Sequence, residues 1–367
     1  MTTEELISLP QYSLPQATKE DRLLPLLAAL HARHVAASPV YARVAAAMFP
    51  AADDAPSLSR LPWIPVGLFK SHRLVSVPDD EIFKTLTSSG TTGASVSHVY
   101  LDRETAQRQT EALAAIMTTV LGRDRLPMLI VDWPGVISDR AQFSARGAGI
   151  LGMINFGRRP RYLLDQSMRL DREGLVTFLA EHGRQPFLVF GFTFMVWQHL
   201  LREIAGTGMD LSNGILIHSG GWKALEGQGV DDRQFRQAFK DETGLTRIHN
   251  FYGMVEQIGS VFLQGSDGPL HPPNFADVII RDPVTFGELP IGEVGVVQVV
   301  STLPSSYPGH SILTEDLGVV HGIDDDPGGW LGKRFSLVGR IPHTQLRGCS
   351  DIYAVSRPSS EPASSAA

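Results

Sequence analysis

The strongest constraint on the fold is an alternation between residues 126 and 250. Wholly apolar or nearly apolar runs recur there: Leu126 to Val131, Phe187 to Phe190, and Ile215 to Ile217. Between them lie stretches of helical spacing at residues 172–182, 194–204 and 232–240. Short apolar runs bounded by turn residues predict strands buried on both faces, and the helical stretches predict crossovers between them. Each run ends in glycine or polar residues: Asp132, then Gly191-Phe192-Thr193, then His218-Ser219-Gly220-Gly221-Trp222-Lys223. A further short strand is expected from Thr246 to Asn250. The prediction is an α/β fold, with strands alternating with helices and a ligand crevice at the carboxyl ends of the strands.

The flanks differ in character. Residues 21–49 read as one or two helices, with Leu23, Leu24, Leu27 and Leu30 at near-helical spacing. His31 and His34 lie three apart there. Without a third ligand they read as a solvated face rather than a metal site. Residues 61–70 are broken by prolines and predict an extended segment packed on the main body, with Lys70 solvated at its end. Beyond about residue 270 the chain turns β-rich, at Val278 to Ile280, Gly295 to Val300 and Val319-Val320. The residues from Ser356 to Ala367 are rich in Ser, Pro and Ala and read as disordered.

One loop carries most of the chemical information. Thr87-Ser88-Ser89-Gly90-Thr91-Thr92-Gly93 holds five hydroxyls, two glycines and no charge. Hydroxyls donate to phosphate oxygens, and glycines let a ligand approach the main chain. Successive backbone N–H groups form a concave anion site. Apolar flanks at Ile82 and Phe83, and at Val96, Val99, Tyr100 and Leu101, predict two strands joined at this turn. No lysine follows Gly93, so it is not a Walker-type loop. Gly147, Gly149 and Gly152 match a dinucleotide fingerprint by letter, but the preceding residues do not read as a strand, so they are expected to serve helix packing.

Four more stretches add to the loop. Asn250 to Glu256 sets Phe251 and Tyr252 beside Gly253, with the Glu256 carboxylate four residues after the tyrosine. An aromatic face can stack on a purine, and a carboxylate can hold Mg²⁺ against phosphate oxygens. Thr314-Glu315-Asp316 offers carboxylates for a ribose diol. Gly339-Arg340 follows a strand expected at Phe335 to Val338, and Arg347-Gly348-Cys349-Ser350-Asp351 comes last.

Taken in order, Thr87–Gly93, Gly220-Gly221, Asn250–Glu256, Thr314–Asp316 and Gly339-Arg340 resemble the adenylate-forming enzymes. Ile64 to Val66, Leu68 to Lys70, the first loop and Arg347-Gly348-Cys349 resemble the LuxE-type acyl-protein synthetases within that superfamily, the long-chain-fatty-acid–protein ligases. The resemblance runs from about residue 10 to 353. It implies layers of strands and helices like the N-terminal domain of those enzymes, with a small β-rich subdomain, and without their mobile C-terminal domain. The expected organisation is an N-terminal helical and extended segment (1–80), an α/β nucleotide-binding core (81–269), a β-rich subdomain with the C-terminal motif (270–353) and a tail (354–367).

The resemblance also implies roles. Thr87, Ser88, Ser89, Gly90, Thr91, Thr92 and Gly93 would wrap the ATP phosphates. Gly220 and Gly221 would pack against the adenine, with Tyr252 stacked on it. Glu256 would ligate Mg²⁺, and Asp316 and Arg340 would bind the ribose. Cys349 would take the acyl group, with Arg347 favouring its thiolate. Three departures from the superfamily pattern stand out. Val255 replaces the usual threonine before the glutamate, Glu315 replaces a glycine, and the catalytic lysine of the C-terminal domain has no counterpart. Lys223, Arg347, Lys70 or a partner chain are the candidate sources of the missing cation.

The implied function is activation of a carboxylic acid, fatty by the resemblance, as an acyl-adenylate, followed by transfer to a protein thiol. An acyl reductase or a carrier protein would be the acceptor. Two other readings stand beside it: adenylation with transfer to coenzyme A, a carrier-protein thiol or an amine, and a non-catalytic nucleotide-binding protein. Gly191 to Phe194 and Trp197 either line an acyl tunnel or form a core aromatic cluster. His218 and His249 read as satisfied core histidines. The net charge of −7 over 367 residues argues against nucleic-acid binding. No apolar run reaches the ~18 residues that a membrane span needs. The acidic start, Met1 to Glu5, is unlike a signal peptide, and the single cysteine excludes an internal disulfide, so a cytoplasmic enzyme is expected.

Overall fold

The computed structural model describes residues 1–49, 57–88, 96–137, 145–222, 225, 227 and 229–341. The described chain divides into two compact units, residues 1–124 with 249–341, and residues 125–248.

The first unit opens with α1 (Thr3–Ser8), α2 (Gln16–Ala37) and α3 (Pro39–Met48). Thr2 and Glu5 cap α1 reciprocally, each side chain accepting from the other's backbone N–H. Then come β1 (Ile64–Pro65), α4 (Leu68–Ser71), β2 (Lys84–Thr87), β3 (His98–Leu101) and α5 (Arg103–Leu121). The Asp102 carboxylate accepts from Thr105 N at 2.7 Å and starts α5; Gly122, at φ 79°, ends it. Residues 61–70 are extended only at β1. The proline-free stretch after Gly67 closes one helical turn instead, α4.

The second unit is a parallel α/β arrangement. It holds β4 (Leu126–Ile130), α6 (Ala145–Ile154), β5 (Gly157–Tyr162), α7 (Arg172–His182), β6 (Phe187–Phe192), α8 (Thr193–Val196), β7 (Gly214–Ser219) and α9 (Asp232–Thr243). The strand order is β5-β4-β6-β7, with Met128 opposite Leu188 and Phe187 opposite Gly214. Every residue of β6 is buried, as the continuous apolar run requires. The turn expected at Gly191 is absent, because β6 continues to Phe192. Gly191 is there for packing: a Cβ would sit 2.6 Å from Val196 Cγ2 and 2.9 Å from Val131 Cβ. Helix packing also explains Gly149 on α6, whose missing Cβ faces the Phe192 ring at 3.4 Å. Trp197 stacks on Phe235 at 5.8 Å, and Phe192 and Thr193 are buried, so this stretch contributes a core aromatic cluster.

The chain returns to the first unit through β8 (Arg247–Tyr252), β9 (Phe262–Gln264), β10 (Leu270–His271), β11 (Ala276–Arg281), β12 (Gly295–Ser301), β13 (Ser311–Ile323) and β14 (Lys333–Arg340). Antiparallel pairing runs β11-β12-β13-β14-β10-β9-β8, and β1 lies parallel to β13 with Ile64 opposite Ile312. Thr314-Glu315-Asp316 therefore lies inside the long strand β13. His34 is buried, not solvated. Its Nδ1 pairs with Ser76 Oγ at 2.8 Å and its ring stacks on His310, so burial keeps it neutral, with its pKa pushed down to about 3. His31 bonds the Tyr41 hydroxyl at 2.8 Å.

A buried ion cluster ties α2 to this sheet. Asp277 is inaccessible, with Lys19 at 3.7 Å and Lys333 at 3.6 Å, and Gln16 Nε2 donates to it at 2.5 Å. Burial alone would raise the Asp277 pKa, but the two lysines overcome it and hold the carboxyl below its ordinary range. Its contribution is present above the unfolded carboxyl pKa, near 4, and is lost as pH falls through the lower folded value. Asp277→Ala leaves two buried ammonium groups with only the more exposed Glu20 carboxylate to oppose them. It should cost about 3–5 kcal/mol in urea unfolding at pH 7, a loss that shrinks on acidification.

Candidate active site

The hydroxyl-rich loop sits on a two-stranded stem. Strands β2 and β3 pair antiparallel, with Thr87 opposite His98. Ser88 N donates to Ser97 O at 3.1 Å, and Ser97 N donates to Ser88 Oγ at 2.9 Å. Thr87 is exposed at the stem's end. Ser89, Gly90, Thr91, Thr92 and Gly93 lie outside the described residues, as do Lys223, Arg347 and Cys349.

Ser97 also meets Glu256. The carboxylate rises from a 3-10 turn, Val255–Gln257, directly after β8. Gln257 anchors that turn, donating through Nε2 to Val299 O at 3.1 Å and Gly309 O at 2.8 Å. Gly309 permits the approach, because a Cβ there would sit 2.7 Å from Glu256 O. Glu256 is only 6% exposed. Burial pushes its pKa up, while the Ser97 hydroxyl and the Lys70 ammonium favour the charged form. The Ser97 hydroxyl acts at short range without a hydrogen bond of ordinary geometry, and its Oγ is buried without a partner. Lys70, at the end of α4, is therefore engaged rather than freely solvated.

A second group is tightly joined. Tyr252 donates its hydroxyl to Asp316 Oδ2 at 2.7 Å, and Arg340 Nε donates to Asp316 Oδ1 at 2.8 Å. The β13–β14 register places Asp316 opposite Arg340. Thr314 Oγ1 donates to Val297 O at 2.7 Å and accepts from Asp316 N at 3.1 Å, fixing the backbone beneath the carboxylate. Burial and the Asp316 charge raise the Tyr252 pKa well above the ordinary phenol value, so the hydroxyl stays a donor. Burial would lower the Arg340 pKa, but Asp316 outweighs it, so the guanidinium is charged throughout.

In the second unit, Gly220 follows β7 at φ 119°, a conformation that favours glycine, and Thr193 Oγ1 reaches its carbonyl at 3.3 Å. Thr193 also pairs with His218 Nδ1 at 2.9 Å. Gly221 is exposed. Asp132, at the end of β4, is paired with Arg146 at 2.9 Å; burial raises its pKa and Arg146 opposes that. His249 Nδ1 meets Gln264 O at 2.9 Å, a satisfied core histidine.

The structure brings Tyr252, Asp316 and Arg340, three residues singled out in the sequence, into one hydrogen-bonded group, while Ser97, Gln257 and the Tyr252–Asp316 bond were not anticipated. Ser97 carried a faint signal, since it closes the same hairpin on which the loop sits. Glu256→Gln should raise the stability of the ligand-free protein. The wild-type carboxyl binds a proton more tightly folded than unfolded, so wild-type stability falls as pH rises through the folded pKa. The variant escapes that loss, and the gap between their urea midpoints should widen as pH rises above the ordinary carboxyl value of 4.5.

Residues 50–356 match the family described as acyl-protein synthetase, LuxE. The long-chain-fatty-acid–luciferin-component ligase of Aliivibrio fischeri is 23% identical over 308 residues, 81% of this chain and 79% of that protein. The protein of the same name from Vibrio harveyi is 25% identical over 309 residues, 80% of this chain and 77% of its own. Among solved structures, an open conformation of 2-hydroxyisobutyryl-CoA ligase superposes with a TM-score of 0.64 at 16% identity, over 90% of this chain and 72% of that one. MatB from Rhodopseudomonas palustris gives a TM-score of 0.47 at 17% identity, over 72% of this chain, which spans about half, 49%, of its length. The mixed α/β fold is that of the adenylate-forming ligases, and the chain belongs to the LuxE acyl-protein synthetase family.

Proposed function

We propose that this protein activates a long-chain carboxylic acid with ATP and passes the acyl group to a protein thiol, with Cys349 as the first acceptor. The observation that carries the reading is the buried Glu256 carboxylate, which the Ser97 hydroxyl at the stem of the hydroxyl-rich loop and the Lys70 charge both favour in its ionised form. A buried carboxylate with a raised pKa and a buried hydroxyl beside it suits a cation-and-phosphate site. Family membership supports the reaction class, and the names of the two bacterial relatives support a fatty acid.

The roles are those the family resemblance implies. Thr87 to Gly93 cradle the phosphates with hydroxyls and backbone N–H groups. Glu256 would hold Mg²⁺, which would supply neutralisation of phosphate charge. Asp316 retains lone pairs after accepting from Tyr252 and Arg340, enough to accept from a ribose diol. Tyr252 would offer its ring face to the adenine.

The chemistry is two displacements. A carboxylate oxygen of the acid attacks the α-phosphorus; a P–O bond forms, the bond to the β-phosphate bridging oxygen breaks, and pyrophosphate leaves. The Cys349 thiolate then attacks the acyl carbon; a C–S bond forms and AMP leaves. Arg347, two residues away, favours the thiolate. The distance is feasible. Ile341 N donates to Glu315 O at 3.0 Å, so the described chain ends one residue from Asp316. Eight residues then lead to Cys349, at most about 28 Å of extended chain. Onward transfer would go to an acyl reductase or a carrier protein.

Full-length protein should release pyrophosphate from ATP and Mg²⁺ with straight-chain fatty acids. Radiolabelled acyl groups should stay on the wild type and be absent from Cys349→Ala; equal labelling of both removes the cysteine from the scheme. Glu256→Gln should lower pyrophosphate release by about 10²-fold or more. ATP binding without release, with any acid tested, would leave a nucleotide-binding protein and sink the ligase reading.

A further inference from the structure

We propose that Asp267, His271 and Asp326 bind one divalent transition-metal ion, of the class of Zn²⁺ or Mn²⁺, which clips the β9–β10 turn to the β13–β14 connection. The three residues share no member with the group around Glu256 and Asp316. One ligand-capable atom from each lies within 4.8 Å of the other two.

The cluster is more than a patch of acids. His271 has no solvent exposure, and neither of its ring nitrogens has a hydrogen-bond partner. Asp326 Oδ1 is buried and unpartnered as well. Buried polar atoms of this kind normally find partners, because leaving them unmatched costs free energy. The His271 Nε2 to Asp326 Oδ1 distance is 3.4 Å. Two ligands each ~2.1 Å from a tetrahedral metal sit roughly 3.4 Å apart.

The remaining atoms are arranged around that gap. Asp326 Oδ2 accepts from Trp330 N at 3.2 Å, which leaves Oδ1 for the gap. Asp267 Oδ2 accepts from Arg334 at 3.2 Å, which leaves Asp267 Oδ1. A Cβ on Gly265 would lie 3.1 Å from His271 Nε2 and 3.3 Å from Asp267 Oδ1, so glycine keeps this side clear and the two atoms converge there. The imidazole is wedged edge-on against Trp330 at 5.2 Å and Tyr12 at 6.1 Å, and Tyr12 stacks on Trp330 at 4.1 Å. Such outer contacts orient metal ligands.

Charge favours a cation. Asp267, Asp325 and Asp326 face Arg334, and the Asp267 and Asp326 carboxylates act on each other. Lys19 adds positive charge from the fold side but is matched by Asp277. Burial pushes the His271 pKa down to about 4, so a lone pair is available at neutral pH. An imidazole with two carboxylates selects against Ca²⁺ and Mg²⁺, which take oxygen ligands. Asp267 is at the surface, so an ion has a way in.

The test uses the full chain, stripped with chelator and titrated separately with Zn²⁺, Mn²⁺ and Mg²⁺ in competition with a chromophoric chelator. Wild type should take up one equivalent of Zn²⁺ or Mn²⁺ and melt at a higher temperature with it. Asp267→Asn, a surface change that keeps the fold, and His271→Gln should each weaken that uptake by at least 10-fold and flatten the thermal shift. Glu256→Gln should keep both. Equal uptake by wild type and both cluster variants, or no stoichiometric uptake by wild type, overturns the site and leaves a carboxyl pair sharing a proton.

Discussion

Asp316 accepts from Tyr252 on one carboxylate oxygen and from Arg340 on the other, and each partner comes from a different strand. That arrangement requires β13 and β14 to pair with Asp316 opposite Arg340. A slip of one residue would turn Asp316 to the other face of the sheet. The register is held by structure further along the same pair. Bulges fall after Leu317 and Val320, and Gly318 lies where a Cβ would be 2.7 Å from Val297 Cγ2. Strand β12 pairs along the other edge of β13, and the short parallel strand β1 continues the β14 edge at Ile312 and Leu313.

Glu256 shows the opposite economy. Its carboxylate is buried beside Ser97 and Lys70, yet burial still outweighs them and its pKa is raised. A folded protein maximising stability would place a neutral side chain there. The turn that presents it is nevertheless firmly built, through Gln257 and the close approach at Gly309. A rigid mount for an undercompensated charge is what a cation site needs before its cation arrives.

How much of this was legible in the sequence depends on the kind of signal. The parallel strands of the second unit announced themselves, because strands buried on both faces read as unbroken apolar runs. Tyr252, Glu256, Asp316 and Arg340 were legible through the order and spacing of motifs. Partners were not: nothing local to Tyr252 tells that its hydroxyl meets a carboxylate 64 positions away. Gly191 read as a turn because packing against Val131 and Val196 leaves the same letter. His34 read as solvated because its partners, Ser76, Pro304 and His310, come from distant stretches. The Asp267–His271–Asp326 cluster was invisible for the same reason, since Asp326 reaches it from a different hairpin.

The charge around the site narrows the open question of the cation. Glu256 is affected by Lys70 and by the negative charge of Glu315, and Arg340 by Asp316 and Glu315. Among these described residues three carboxylates face two cations, a poor setting for a polyanion. Residues 89–95, Ser-Gly-Thr-Thr-Gly-Ala-Ser, contain no charge and can offer only hydroxyls and backbone N–H groups. Val255, beside Glu256, contributes no donor either. On the proposed reading, a phosphate held here would be neutralised by a divalent ion on Glu256 together with a cation from elsewhere, for which Lys223 and Arg347 are the sequence candidates. Arg347 has the stronger claim on chemical grounds. If Cys349 takes the acyl group as proposed, a nearby positive charge would favour its thiolate, and one guanidinium near the α-phosphate could favour both the leaving of pyrophosphate and the thiolate that follows.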